Sequence, residues 1–321
     1  MKIAILLEKE NFERYNPPGS VLDGCELIHF GNRTIDEDAV AASNAEVIVA
    51  DPMLSIKGSL IRRMPSLRMI QSQGVGYNQF DLSAAREQGV WVTNCAGANA
   101  SAVAEQAVLL MLSVLRNVKK MDRMVYEGRQ AEAKKQCFQN GIRELRDCHV
   151  GILGFGAIGR EVAARLKAFG CRVSYFDVFQ RPEFGIACLP MERIISDCDI
   201  LSLHLPVTAE TMNLINEDVI AQMKPGAILI NTARGEIVDQ YALRKALISG
   251  KLGGAGLDTL SPEPVAADHP LLDLPEDVRD RVILSPHIGG ITEGSFRRYY
   301  EIIWDNVRRV AEGGEPVNIV N

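Results

Sequence analysis

Short apolar runs alternate with amphipathic segments along almost the whole chain of 321 residues. In the first hundred residues the apolar runs predict β-strands at 3–7, 26–30, 47–50, 69–72 and 90–93. The segment that begins at Asp81 predicts a helix with an acidic first residue. Such alternation is typical of parallel sheets, because consecutive parallel strands need a long crossover connection that is usually a helix.

The same alternation continues through the rest of the chain. A long apolar helix is predicted at 102–115, followed by a polar stretch at 119–140, and a last helix is predicted at 292–310. The apolar runs between them predict strands at 148–153, 173–176, 200–203, 227–230, 254–257 and 282–284. The predicted fold class is therefore α/β, with two doubly wound parallel-sheet domains.

A glycine-rich turn connects the strand at 148–153 to a helix on which Val162 and Leu166 lie at helical spacing, and its sequence is Gly154-Phe155-Gly156-Ala157-Ile158-Gly159. The first glycine permits a tight turn, the second lets a pyrophosphate approach the backbone, and the third lets the helix pack on the strand. Free N–H groups at the start of the helix attract the phosphates. Strand, turn and helix together predict a dinucleotide site.

Asp177 ends the next strand, eighteen residues beyond Gly159. A carboxylate there can accept hydrogen bonds from the adenosine ribose hydroxyls and repels a 2′-phosphate, so it favours NAD over NADP. A solvated aspartate at a strand end is the alternative, and the nearby Arg181 leaves use of both cofactors open.

The glycine-rich turn lies in the middle of the chain, so its domain is expected to be an insertion. Residues 98–290 are predicted to form a Rossmann NAD domain, inserted into a flavodoxin-like substrate domain made of 1–97 and 291–321. The substrate domain lacks a glycine-rich phosphate turn and is not expected to hold the dinucleotide.

Composition narrows the classes of function. The net charge is −6 and no run of Lys or Arg exceeds a pair, which disfavours binding to nucleic acid or to a membrane surface. No apolar run approaches the length of about 18 residues that a membrane span needs. Seven scattered cysteines without CxxC spacing indicate reduced thiols, a cytoplasmic location and no metal site.

Three polar residues follow predicted strands, where open α/β sheets build their sites. Arg234 follows the strand at 227–230, Glu263 lies between two prolines five residues after Asp258, and His287 follows the strand at 282–284. Each alone has an ordinary structural explanation, since such arginines are usually solvated, such glutamates lie at the surface, and a lone histidine is more often structural.

In combination and in order, these residues and their surroundings resemble the D-isomer-specific 2-hydroxyacid dehydrogenases over essentially the whole chain. The similar segments include Gly74-Val75-Gly76-Tyr77-Asn78, Gly97-Ala98-Asn99-Ala100, His204-Leu205-Pro206, Met223-Lys224-Pro225-Gly226, Gly256-Leu257-Asp258 and Pro286-His287-Ile288-Gly289-Gly290. One departure is Gly128-Arg129-Gln130, where the family commonly has Trp after the glycine. That arm usually forms the dimer interface in the family, so a homodimer is expected.

The resemblance implies roles for individual residues. Arg234 would bind the substrate carboxylate, together with backbone N–H groups around Val75 and Gly76, and His287 would be the general acid and base with Glu263 orienting it. Asp258 would hold the nicotinamide carboxamide. The residues implied to contact NAD are Gly154, Gly156, Ala157, Ile158, Gly159, Asp177, Leu205, Pro206, Thr211, Thr232, Ala233, Asp258 and Gly290.

The expected function is the NAD-dependent reduction of a small 2-keto acid, or oxidation of the 2-hydroxy acid. One alternative is a D-3-phosphoglycerate dehydrogenase, although Asp51-Pro52-Met53 stands where those enzymes present an arginine for the phosphate. Lys57, Arg62 and Arg63 could compensate or could be a solvated helix face. The other alternative is an NAD-sensing binding protein similar to transcriptional corepressors. Two further groups of enzymes resemble this fold but differ from this chain at particular positions. Formate dehydrogenases have Gln where Glu263 stands, and relatives of phosphite dehydrogenase have a Lys near 73–76, where this chain has Gln-Gly-Val-Gly.

Overall fold

A computed structural model describes residues 1–32 and 35–321 and divides the chain into two compact units. Unit 1 comprises Met1–Asn99 and Ile291–Asn321, and unit 2 comprises Ala100–Gly290. The first junction therefore lies two residues later than the predicted one, and the second lies at the predicted position.

Unit 1 contains a five-stranded parallel sheet in the order β2-β1-β3-β4-β5. Its elements are β1 (Lys2–Leu6), α1 (Lys9–Tyr15), β2 (Glu26–His29), α2 (Glu37–Ala42), β3 (Val47–Ala50), α3 (Gly58–Ile61), β4 (Met69–Ser72), α4 (Leu82–Glu87) and β5 (Trp91–Thr93). This strand order is that of flavodoxin-like folds.

Two apolar layers cover the faces of this sheet, because successive side chains of a strand point to opposite faces. Ile3 and Ile5 of β1 belong to the layer that includes Trp304 of the last helix of the chain. Ala4 and Leu6 belong to the opposite layer. The last helix spans Glu293–Ala311 and lies in unit 1, and Thr292 caps its N-terminus by accepting a bond from Ser295 N–H.

Unit 2 begins with three helices, α5 (Ala100–Leu115), α6 (Val118–Tyr126) and α7 (Gln130–Asn140). The elements that follow are β6 (His149–Leu153), α8 (Ala157–Ala168), β7 (Arg172–Phe176), β8 (Ala187–Cys188), α9 (Met191–Asp197), β9 (Ile200–Leu203), α10 (Glu217–Gln222), β10 (Ala227–Asn231), α11 (Gln240–Ile248), β11 (Leu252–Leu257), α12 (Glu276–Arg279) and β12 (Val282–Leu284); the last helix of the chain is α13.

The sheet of unit 2 is parallel and has the order β12-β11-β10-β9-β6-β7-β8. The order reverses between β6 and β9, and ligands of open α/β sheets bind at the carboxyl ends of strands at such a reversal. The predicted fold class, a Rossmann domain inserted into a flavodoxin-like domain, is confirmed.

The polar stretch at 119–140 is the largest difference from the predicted elements, because it forms most of α6 and all of α7. Met124 is the buried residue of α6 and Ala133 that of α7. Helix α7 shows no wide apolar stripe, which is the pattern that predicts a helix from sequence. Helix α6 does carry Val118, Met121 and Val125 at helical spacing, and this pattern was overlooked. In addition, α5 begins at Ala100 rather than at residue 102.

Among the described helices, none is by itself long and apolar enough to cross a membrane. Within residues 1–32 and 35–321, one pair of helices passes a length and composition test together, α5 with α6, and these two are bent by 62° relative to each other.

Candidate active site

The glycine-rich turn lies at the carboxyl end of β6, and its three glycines differ in what surrounds them. Gly154 has a φ of +93°, and a Cβ there would lie 2.5 Å from the carbonyl oxygen of His204 at the end of β9. A Cβ at Gly159 would collide with the carbonyl oxygen of Gly154. Gly156 is exposed, and a Cβ there would meet nothing within 4 Å. The first and third glycines are therefore needed for packing, whereas the second borders open space.

This turn fits the pyrophosphate of NAD. Gly156 is the N-cap of α8 and no described side chain caps that end, so the first N–H groups, including those of Ala157 and Ile158, are available to a ligand. Asp177 directly follows β7 and accepts bonds from Phe155 N–H at 2.6 Å and Phe179 N–H at 2.9 Å. Each carboxylate oxygen keeps a lone pair for a ribose hydroxyl.

The segment after β9 borders the same end of the sheet. His204 lies with Nε2 2.9 Å from Ser202 Oγ, and burial lowers its pKa to about 3, so the ring is neutral. Leu205 and Pro206 follow it, and the Thr211 hydroxyl donates to Pro206 O at 2.7 Å. Thr211 therefore closes this loop on itself, which sequence reasoning did not foresee, and its contact with NAD stays a prediction.

Arg234 follows β10 in a turn that the side chain of Asn231 holds. Asn231 accepts from Ala233 N–H at 2.9 Å and donates to Arg234 O at 2.8 Å. The Arg234 guanidinium donates to Ala233 O at 2.8 Å, and no described carboxylate lies within ion-pair distance of it. Thr232 and Ala233 are buried. Arg234 is thus a half-buried cation with donors left for an anion.

Asp258 follows β11, is only 2% exposed and holds the loop after β12. It accepts bonds from the Ser285 hydroxyl at 2.5 Å, Ile288 N–H at 3.0 Å and Gly289 N–H at 2.8 Å. Gln106 of α5 donates to the Ser285 hydroxyl at 2.9 Å. The structure thus places Asp258 as the anchor of the loop that ends at the predicted cofactor residue Gly290, and its contact with nicotinamide stays a prediction.

This loop carries His287 in a left-handed conformation, with a φ of +56°. That conformation is strained for a residue with a side chain, and it persists only where the surroundings hold it. The His287 N–H donates to Asp258 O at 2.8 Å, in addition to the three bonds that Asp258 accepts. The strained turn is therefore built by Asp258.

Glu263 and His287 lie together, as the resemblance implied. His287 Nδ1 is 2.7 Å from Glu263 Oε2, and the other carboxylate oxygen accepts from Leu260 N–H at 3.1 Å. Nε2 has no hydrogen-bond partner among the described residues. A ring held at one nitrogen and open at the other is the arrangement of an acid–base histidine.

Val75 and Gly76 lie in unit 1, three and four residues after the end of β4, and both are partly exposed. Sequence reasoning missed Asn231, Ser285 and Gln106, which touch the candidate residues through hydrogen bonds. The available signal for Gln106 was that it is one of three polar residues in the apolar helix at 102–115, with Glu105 and Ser113. Among the described residues, no three His, Cys, Asp or Glu side chains are grouped so that they could hold a metal ion.

Comparison with known proteins agrees with this geometry. The family model for the NAD-binding domain of D-isomer specific 2-hydroxyacid dehydrogenases matches residues 108–289. A glyoxylate reductase of Korarchaeum cryptofilum is 36% identical over 85% of this chain and 81% of that protein. A D-3-phosphoglycerate dehydrogenase of Archaeoglobus fulgidus is 35% identical over 86% of this chain but only 51% of that longer protein.

Among solved structures, the D-lactate dehydrogenase of Aquifex aeolicus in complex with NAD and lactic acid superposes with a TM-score of 0.83. It is 28% identical, and the match covers 100% of this chain and 99% of that one. The protein is an NAD-dependent oxidoreductase, and the chain belongs to the family of D-isomer specific 2-hydroxyacid dehydrogenases.

Proposed function

We propose that this protein reduces small, unphosphorylated 2-keto acids such as glyoxylate or hydroxypyruvate with NADH, and catalyses the reverse oxidation. The observation that carries the proposal is the pair of His287 and Glu263, whose Nδ1 and Oε2 atoms lie 2.7 Å apart, with His287 on a turn that Asp258 holds. NADH, when bound, supplies the hydride that reaches C2 of the keto acid.

His287 supplies the proton for this reduction. Its Nε2 donates to the carbonyl oxygen of the substrate in reduction and takes the proton from the hydroxyl group in oxidation. Glu263 accepts from Nδ1, so it keeps the proton on that nitrogen and fixes the plane of the ring.

Arg234 binds the substrate carboxylate. A guanidinium presents paired, coplanar donors that match the two oxygens of a carboxylate. Because no described carboxylate pairs with Arg234, its charge is available for this task. Backbone N–H groups of Val75 and Gly76 are proposed as further ligands of the carboxylate.

The surroundings of Asp51 support an unphosphorylated substrate. Asp51 accepts from Asn32 at 3.0 Å and from Met53 N–H at 2.9 Å, so a carboxylate stands at this strand end. Arg62 pairs with Glu87 at 3.2 Å and Arg63 pairs with Asp38 at 2.6 Å. Two of the three basic residues that could have held a phosphate are therefore paired with surface carboxylates.

The test follows NADH oxidation with a panel of 2-keto acids and compares hydroxypyruvate with 3-phosphohydroxypyruvate at equal concentrations. We expect turnover of glyoxylate or hydroxypyruvate and little with the phosphorylated compound. A clear preference for 3-phosphohydroxypyruvate would instead make the protein a D-3-phosphoglycerate dehydrogenase. NADH binding without turnover of any 2-keto acid would favour the corepressor-like alternative.

We also propose a homodimer in the cytoplasm. Exposed apolar side chains on α5, α6 and α7 support the dimer, because large exposed apolar surfaces usually mark interfaces; they are Leu109, Val118, Val125, Tyr126 and Phe138. The free thiols of all seven cysteines support a reducing compartment. Light scattering tests the dimer, and Tyr126→Asp together with Phe138→Asp should yield monomers.

A further inference from the structure

In the loop that follows β4 in unit 1, the three consecutive peptide carbonyls of residues 74–76 are each held by a separate hydrogen bond from β4 or from the residues that follow β5. The donors and acceptors are Cys95 N–H to Gly74 O at 2.8 Å, Asn94 Nδ2 to Val75 O at 2.8 Å and Ser72 Oγ to Gly76 O at 2.7 Å. Two of the three donors are therefore side chains.

These bonds decide where the neighbouring N–H groups point. A trans peptide is planar, and its C=O and N–H point in opposite directions. Holding the carbonyls of Gly74, Val75 and Gly76 therefore turns the N–H groups of Val75, Gly76 and Tyr77 the other way. None of these N–H groups has a hydrogen-bond acceptor among the described residues. Consecutive unpaired N–H groups form a concave site for an anion.

The two side chains that hold the loop are themselves fixed. Ser72 is fully buried and Asn94 is 5% exposed. The Asn94 carbonyl oxygen accepts from Ala96 N–H at 3.2 Å, which sets the direction of its Nδ2 donor. Pro52 lies against Gly74, where a Cβ would come within 3.3 Å of the proline ring. The loop therefore cannot turn without breaking buried bonds.

We propose that Asn94 and Ser72 are positioning residues, which preset the N–H groups of Gly76 and Tyr77 for the carboxylate of the substrate. The inference rests on the proposed function, since it assigns the machinery behind the predicted contact of Gly76 N–H and adds Tyr77 N–H as a further donor. Donors that are already aligned lose no orientational freedom when the anion binds, so their full strength contributes to binding.

The test measures Ser72→Ala and Asn94→Ala with glyoxylate, with oxamate as a competing carboxylate. We expect kcat/KM for glyoxylate to fall by about tenfold in each, which corresponds to one misaligned bond to a charged group. The inhibition constant of oxamate should rise in parallel, and the KM for NADH should not change. Thr93→Val is the matched control, because it removes a buried hydroxyl of the next strand that bonds only to Gln71 and the Ile70 carbonyl.

The outcomes separate this inference from the proposed function. If the wild-type protein reduces no 2-keto acid, the proposed function fails and the inference fails with it. If the wild-type protein is active while Ser72→Ala and Asn94→Ala bind glyoxylate and oxamate normally, the positioning role alone is wrong. An equal loss in Thr93→Val would also overturn it, because the effect would then be general loosening of the sheet. If Asn94→Ala does not fold, Ser72→Ala decides by itself.

Discussion

The two units are both doubly wound parallel sheets, yet the turn after the first strand differs between them. In unit 2 that turn is Gly154 to Gly156, and a helix of 12 residues follows with an uncapped N-terminus. In unit 1 the chain passes from β1 through Leu7 and Glu8 into α1, a helix of seven residues. A carboxylate at that position repels phosphate, so the same architecture offers a dinucleotide site in one unit and not in the other.

Unit 1 instead has its unpaired N–H groups after β4, where Ser72 and Asn94 hold the backbone. Unit 2 has its charged chemistry after β10, β11 and β12. The turn at each strand end, and not the sheet, therefore sets the class of ligand.

If the proton-transfer chemistry belongs to unit 2 alone, His287→Gln should give the largest loss of activity. Removal of a general acid lowers turnover by on the order of 10²–10⁴, while NADH affinity should change little. Steady-state kinetics and NADH titration measure both. His29→Gln in unit 1 is the control and should keep its turnover. A near-wild-type rate for His287→Gln would remove this residue from its role.

Alanine substitutions in the glycine-rich turn can distinguish a glycine that is needed for packing from the glycine that borders open space. Gly159→Ala should destabilise unit 2 by about 1–3 kcal/mol or more, because its Cβ meets the rigid Gly154 carbonyl. Gly156→Ala should leave the melting temperature unchanged but weaken NADH binding, since its methyl group would occupy space meant for the pyrophosphate. Equal NADH affinity in Gly156→Ala and wild type would contradict this assignment.

The positive charge at position 234 is not expected to be sufficient by itself for binding the substrate carboxylate. Arg234→Lys keeps the charge but loses the paired donors, so kcat/KM for the keto acid should fall by about 10- to 100-fold. Arg244→Lys is a matched control on α11, where the guanidinium donates to Asp273 O at the surface. Unchanged substrate affinity and rate in Arg234→Lys would count against the carboxylate contact.

Acid should lower the free energy of unfolding of unit 2 more than that of unit 1. Burial lowers the pKa of His149, His204 and His269 in unit 2, whereas His29 is the one such histidine in unit 1. An unfolded histidine titrates near 6.5, so the unfolded state takes up protons first as the pH falls. The stability present above pH 6.5 is therefore lost below it, by about 1.4 kcal/mol per pH unit for His204, until its folded pKa of about 3 is reached.

Thermal melts at pH 7 and pH 5 test this difference. Trp91 and Trp304 both lie in unit 1, so tryptophan fluorescence follows that unit, whereas far-UV circular dichroism follows both. At pH 5 the melting temperature from circular dichroism should be lower than the melting temperature from fluorescence. His204→Gln should reduce the difference between the two temperatures. Coincident melts at both pH values would show that the two units do not differ in this way.

The smallest expected effect concerns the choice of cofactor at Asp177. Asp177→Ser should narrow the ratio of NADH to NADPH efficiency by about tenfold, because a repulsive carboxylate is removed. The ratio of kcat/KM values measures it, with Glu183→Ser nearby as the control. If the wild-type protein already uses NADPH as well as NADH, the role of Asp177 is wrong.

Strand positions could be predicted because buried parallel strands are short, continuous apolar runs, and β3, β4, β9 and β12 have the predicted bounds. Helix α7 was not predicted because it has no apolar stripe, whereas α6 has a short one at Val118, Met121 and Val125 that was overlooked. In the candidate site, Arg234, Glu263 and His287 follow strands of one sheet, so their sequence positions indicated a common edge. The supporting bonds of Ser285 and Gln106 were missed because their partners lie 27 and 179 residues away along the chain and leave no local pattern. The bonds of Asn231 are local, to Ala233 and Arg234, and were overlooked.

The fold class, the glycine-rich turn and the residue types at each strand end follow from the amino-acid sequence, because apolar periodicity and glycine geometry are local properties. That Asp258 builds the His287 turn and that Asn94 bonds to the loop after β4 became visible in the folded structure alone. Those arrangements depend on hydrogen bonds between segments 27 to 31 residues apart around Asp258 and 19 residues apart from Asn94 to Val75. The direction of a hydrogen bond across such distances is set by the packing of the sheet, and packing is not a property of any single segment.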